Sequence, residues 1–127
     1  MNVPIDLKYT PNDEWIKADD GVGVVGITDF AQSQLSDIVF VEILVAVGDE
    51  VKAGDACATI ESVKAAADVY MPASGKIIEI NESLPDSPEL LNAEPFGGAW
   101  LVKLALSDPG ELDGLLDAAA YSAKIEE

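Results

Sequence analysis

Turn-forming residues recur at short intervals along this chain and leave room only for short elements between them. Glycine and Asx punctuation separates segments rich in valine and isoleucine, the pattern of many short strands rather than long helices. Trp15 to Lys17 and Val22 to Ile27 flank Asp19-Asp20-Gly21, and an Asp-Gly pair supplies the positive φ angles that a tight hairpin turn demands. Ile38 to Val45 reads as a strand, and glycines between Val47 and Asp55 turn the chain into the next, Cys57 to Glu61. A second hairpin rises to about Glu61 and falls through Asp68 to Met71, which places Lys64 near its tip. Pro72 and Gly75 break that arm before Lys76 to Ile80 resumes the β pattern. After a loop containing Pro85, Pro88 and Pro95, one more strand is expected over Trp100 to Leu106.

Helix is expected only at the margins. Thr28 can cap a short helix over Asp29 to Leu35, with Asp29 in its positive first turn. An acidic segment from Asp108 to Glu127 carries leucines at helical spacing, so that Leu112, Leu115, Leu116 and Tyr121 would pack it onto the sheets. The expected fold is mostly β, a barrel-sandwich hybrid of two small antiparallel sheets with short peripheral and carboxy-terminal helices. With 127 residues, 1–127 is expected to form one domain around one core.

Composition narrows the chemistry. Apolar residues make up 49% of the chain, too many for disorder. The longest mostly apolar stretch, Ile38 to Val47, is interrupted by Glu42 and too short to cross a bilayer. Twenty-four acidic residues against seven lysines, with no arginine or histidine, give a formal charge of −17, which repels phosphate backbones and argues against nucleic acid as a partner. Without histidine the chain lacks the side chain best suited to acid–base work near neutrality and to ligating zinc, copper or iron. Cys57, the sole cysteine, permits no internal disulfide and no Cys-His nucleophile, and reads as a small buried strand residue. The amino terminus, Met1 to Asp6, has neither a basic start with an apolar run nor transit-peptide arginines, so a cytoplasmic location is expected.

Two motifs stand out. Gly21-Val22-Gly23-Val24-Val25-Gly26 satisfies the dinucleotide pattern G-x-G-x-x-G, but the turn residues Asp19-Asp20 precede it and a valine-rich strand occupies its second half, where the required helix would open. A hairpin turn followed by a glycine-spaced strand accounts for it. Glu61-Ser62-Val63-Lys64-Ala65-Ala66-Ala67-Asp68 places an accessible lysine among small residues, with carboxylates three before and four after it. Taken alone, such a lysine is far more often a solvated residue on a turn.

That segment, followed by Pro72 and Gly75, resembles the lipoylation site of the glycine cleavage H-protein family. Tyr9-Thr10-Pro11 with Glu14-Trp15, Val25 to Thr28 with Ala31-Gln32, Asp37 to Glu42, Asn81-Glu82, Pro88 to Asn92 and Trp100 match family blocks in the same order. Asp13 stands where the family usually has histidine, Ser36 where it has glycine and Ala67 where serine is common, and the turn at Ile43 to Gly48 is one residue longer.

The resemblance implies a non-catalytic carrier with lipoate amide-linked to Lys64. It implies that lipoate-attaching enzymes read the hairpin together with Glu61 and Gly75, and that Glu14, Asp68 and, more weakly, Asn12 line a cleft for the loaded arm. The implied partners are a pyridoxal-phosphate glycine decarboxylase that loads an aminomethyl group, a tetrahydrofolate-dependent aminomethyltransferase and dihydrolipoamide dehydrogenase. Three alternatives stay open: a biotin carrier, against which Val63 and Ala65 argue because methionines typically flank the biotinylated lysine; a relay of lipoyl groups to other complexes; and a hydrolase using Ser62 or Asp19 and Asp20.

Overall fold

The computed structural model describes residues 2–125. It begins with β1 (Lys8–Tyr9), β2 (Glu14–Asp19), β3 (Val22–Ile27), α1 (Asp29–Leu35), β4 (Ile38–Ile43) and β5 (Glu50–Val51). There follow β6 (Ala56–Ser62), β7 (Ala66–Tyr70), β8 (Gly75–Ile80), α2 (Ser83–Asp86), α3 (Leu90–Ala93) and β9 (Val102–Leu106). A 3₁₀ turn (Pro109–Gly114) and α4 (Ala118–Ile125) close the chain.

The Asp-Gly hairpin forms as its residues require. Asp20 and Gly21 have φ of 51° and 78°, the paired positive values of a type I′ turn, and Asp19 faces Val22 across it. From this hairpin grows a six-stranded antiparallel sheet in the order β1-β2-β3-β9-β8-β5, and β4-β6-β7 form a second, three-stranded antiparallel sheet. The two sheets enclose the core, with Ile16, Val25, Ile77 and Leu104 from one and Val41, Ile60 and Val69 from the other. Burying each such side chain stabilises by about 1.5–3 kcal/mol. Cys57 is fully buried on β6, and that burial pushes its thiol pKa up to about 12. The mostly β, two-sheet architecture agrees with the sequence reading.

The dinucleotide-like glycines have structural work. Gly21 makes the turn; a Cβ at Gly23 would press on Ile16, and one at Gly26 would lie 2.6 Å from the ring of Trp15, its cross-strand partner. The Trp15 indole N–H in turn donates to the Pro95 carbonyl at 2.9 Å.

Several boundaries differ from expectation. β4 stops at Ile43 rather than Val45, because the chain turns where Ala46 N–H donates to the Asp49 carboxylate and Asp49 N–H to the Ala46 carbonyl. β9 starts at Val102 rather than Trp100. The acidic tail is not one helix. Tyr9 and Leu116 exchange both backbone hydrogen bonds at 2.8 Å, so an extended residue separates the 3₁₀ turn from α4. The last two residues of that expected tail, Glu126 and Glu127, and Met1 lie outside the described residues. The proline-containing loop holds two single-turn helices, α2 and α3, and the two-residue strands β1 and β5 escape a periodicity reading because they are shorter than one repeat.

Gly75 shows what holds the larger sheet together on its far side. It pairs with Leu106 on β9 and Val51 on β5, and an added Cβ would fall inside van der Waals contact with the Ala105 carbonyl oxygen. Backbone cannot yield there as a side chain would. Gly75→Ala is expected to cost about 1–3 kcal/mol, as overpacking does, seen as a lowered urea midpoint; an unchanged midpoint contradicts this packing account.

Candidate functional site

The hairpin of β6 and β7 closes through its own serine. Glu61 pairs with Ala66, and beyond that pair Ser62 N–H donates to the Ala65 carbonyl at 2.8 Å. The Ser62 hydroxyl accepts from the amides of Lys64 and Ala65, at 3.3 and 3.1 Å, and donates to the Ala65 carbonyl at 3.2 Å. With its hydrogen-bonding capacity used on the turn, Ser62 is a structural residue here. Val63 N–H donates to the Asp37 carbonyl at 3.0 Å, which moors the tip to the segment entering β4. Val63 (67% exposed) and Lys64 are left at the apex, flanked by the small residues Ala65 and Ala66.

Cross-strand pairing then fixes what shares a face with the tip. Phe40, Glu61 and Ala66 form one row, and Glu42, Thr59 and Asp68 the next. The Thr59 hydroxyl donates to Asp68 Oδ1 at 3.1 Å. The outward face of the three-stranded sheet therefore carries Glu42, Glu61 and Asp68, all exposed.

Glu14 sits at the opposite end of β7 from Lys64. It is 2% exposed; Oε1 accepts from the Thr10 hydroxyl at 2.7 Å, and Oε2 reaches from β2 to accept from Tyr70 N–H on β7 at 3.1 Å. Burial raises its carboxyl pKa, the two hydrogen bonds oppose that rise, and the charge of Asp13 adds to it. The Thr10 hydroxyl also accepts from the amides of Asn12 and Glu14, each at 3.2 Å, so one side chain shapes the turn that delivers Glu14.

Asp13, in the place of the usual histidine, has φ of 68°. Its Oδ1 accepts from the Tyr121 hydroxyl at 2.9 Å, and that hydroxyl lies 2.6 Å from Thr28 Oγ1, the cap of α1. Tyr121 stacks on Tyr9 with ring centroids 4.6 Å apart. Helix α4 thus holds the turn before Glu14 from behind. Ser36, in the place of the usual glycine, ends α1 at φ 65° and ψ −148°, a conformation that favours glycine.

The structure brings Glu14 to β7, the arm that also carries Asp68, and leaves Asn12 exposed on the adjoining turn. Asp68 does not share a hydrogen bond with Glu14; it lies on the outward face, and Glu14 binds the backbone two residues farther on. Gly75 belongs to the other sheet and is buried. Thr10 and Tyr121 were absent from the expected site. A threonine four residues before a glutamate in a proline-containing turn was a usable signal for the first, whereas nothing local marks the second.

Glu14 gives a signed pH dependence. Its raised pKa means that the folded chain binds this proton more tightly than the unfolded chain, where glutamate titrates at about 4.3. That contribution is full below the unfolded value and is lost as pH rises through the folded one. The urea-measured stability of the parent relative to Glu14→Gln should therefore fall between pH 4 and pH 7; a pH-independent difference contradicts the assignment.

Known proteins share both the sequence and the shape. Residues 7–127 match the family model described as glycine cleavage H-protein. The glycine cleavage system H protein of Symbiobacterium thermophilum is 55% identical over 126 residues, covering 99% of this chain and 98% of that protein. The Escherichia coli protein of the same name is 54% identical over 127 residues, with 99% and 98% covered. The crystal structure of a glycine cleavage system H protein from Mycobacterium marinum superposes with a TM-score of 0.89 at 35% identity, covering 98% of this chain and 99% of that one. With sequence and fold matched along nearly its whole length, the chain belongs to the glycine cleavage H-protein family, a family of lipoyl carriers.

Proposed function

We propose that Lys64 is the lipoyl attachment point and that the chain carries an aminomethyl group from glycine decarboxylase to an aminomethyltransferase, and the resulting dithiol to dihydrolipoamide dehydrogenase. The observation that carries this reading is the placement of Lys64 at an exposed apex whose backbone is tied down by Ser62 and Asp37. A fixed base with an accessible amine suits amide formation. Unprotonated Nζ attacks the carbonyl of an activated lipoyl donor, the C–N bond forms, the activating group leaves and the amine proton passes to solvent. Once attached, the dithiolane supplies the redox and carbon-carrying chemistry, and the chain supplies presentation.

The remaining residues divide the labour of the cleft. Glu14 is nearly inaccessible and bound at both oxygens, so its contribution is to hold the base of β7 in place. Asp68, exposed and closer to the tip, supplies negative charge facing the arm's path, which favours a cationic amine. Asn12 borders the same turn as Glu14 and offers an exposed amide. Glu61, one residue before the closing serine, marks the hairpin for the attaching enzyme, and buried Gly75 acts on recognition only through the sheet it keeps in register. Among the described residues no helix is long and apolar enough to cross a membrane.

The test is the intact mass of the chain coexpressed with lipoate-attaching enzymes, beside Lys64→Arg. The parent should gain one lipoyl group and the variant none. A parent of unchanged mass, or one that gains biotin instead, overturns the reading.

A further inference from the structure

Beside the lysine hairpin the chain leaves an apolar groove uncovered. Phe40, Ile43, Ile80 and Pro85 line it together with Glu42 and Glu82, in a volume of about 460 Å³ between β4 and α2. Phe40 is 44% and neighbouring Val39 57% exposed, and Val63 at the hairpin tip is 67% exposed.

Position and charge identify what fits. Phe40 faces Glu61 across the sheet, and Glu61 with Ala66 is the last pair of the hairpin before the turn that carries Lys64, so an occupant of the groove lies along the strand next to that hairpin. None of the seven lysines lines the groove, and both of its charged residues are acidic. A second copy of a chain with a net charge of −17 would set acid against acid; a surface bearing lysine or arginine around an apolar side chain is complementary. Reach narrows the choice further. A bare lysine side chain is short, so the enzyme that acylates it must seat against the hairpin's own sheet, whereas enzymes served by the longer loaded arm can dock farther away.

We propose that the groove is the docking site for the enzyme that acylates Lys64, which inserts an apolar side chain against Phe40, Ile43 and Ile80 and aligns basic residues with Glu42 and Glu82. The inference rests on Lys64 being the attachment point. It is tested with Phe40→Ser and the double variant Glu42→Lys/Glu82→Lys, exposed positions whose folding is checked by circular dichroism and urea midpoint. Ile5→Ser, an exposed apolar residue outside the groove, is the control. The initial rate of lipoylation by a purified lipoate–protein ligase is followed by intact mass. Both groove variants should lose about tenfold or more in kcat/KM, mainly through KM, as removal of a docking anchor does, while Ile5→Ser matches the parent. Groove variants lipoylated at the parental kcat/KM overturn the docking site and leave the attachment point standing. A parent that takes no lipoyl group overturns the attachment reading, and the groove proposal with it.

Discussion

One carboxylate ties the lysine-bearing hairpin to the rest of the molecule. Glu14 starts β2 in the six-stranded sheet, yet its side chain ends on the backbone of Tyr70, in the three-stranded sheet. Burying a carboxylate is costly unless its oxygens are paired, and here both are, to Thr10 and Tyr70. Removing the carboxylate would leave a hydroxyl and an amide without their acceptor in a dry place, at about 1–3 kcal/mol. The arrangement is supported from behind by Tyr121, which holds Asp13 in its left-handed conformation and contacts the cap of α1. Amino terminus, carboxy-terminal helix and hairpin base therefore converge on one turn, Thr10 to Glu14.

The other end of the hairpin obeys a different constraint. The proposed attachment at Lys64 calls for a rigid backbone and a free side chain, and the tip separates the two: Ser62 and Asp37 bind the amides around Lys64, while the neighbouring residues are small or exposed. Acidic residues then face outward along the same sheet in two successive rows. The large negative charge of the whole chain favours encounters with basic surfaces and weakens them as salt is added. Under the proposed function, absence of histidine would be no handicap, since the chemistry would reside in a tethered group and in the partners' cofactors.

Local chemistry explains which features could be read from the sequence. The Asp19-Asp20-Gly21 hairpin, the Thr28 cap and the approximate strands rest on neighbouring residues, and all three appear where expected. The Glu61 to Asp68 segment likewise marks an accessible lysine on a turn by its small neighbours alone, and Lys64 is exposed there. The hydrogen bonds that assemble the site join residues far apart, 56 positions for Glu14 with Tyr70 and 108 for Asp13 with Tyr121, and no periodicity encodes them. Leucine spacing in the tail suggests one helix because it cannot anticipate the exchange of hydrogen bonds between Leu116 and Tyr9. The resemblance implies Glu14 as a cleft residue, and its near-complete burial and two hydrogen-bond partners are features that no local pattern encodes.

Under the proposed function this chain serves glycine decarboxylation as a carrier. The most direct measurement is the exchange of labelled bicarbonate into the carboxyl group of glycine, catalysed by glycine decarboxylase in the presence of the lipoylated chain, the unmodified chain or Lys64→Arg. Exchange that saturates with the lipoylated chain and stays at background with the other two is the predicted result. Equal exchange with all three, or none with the lipoylated chain, would contradict it.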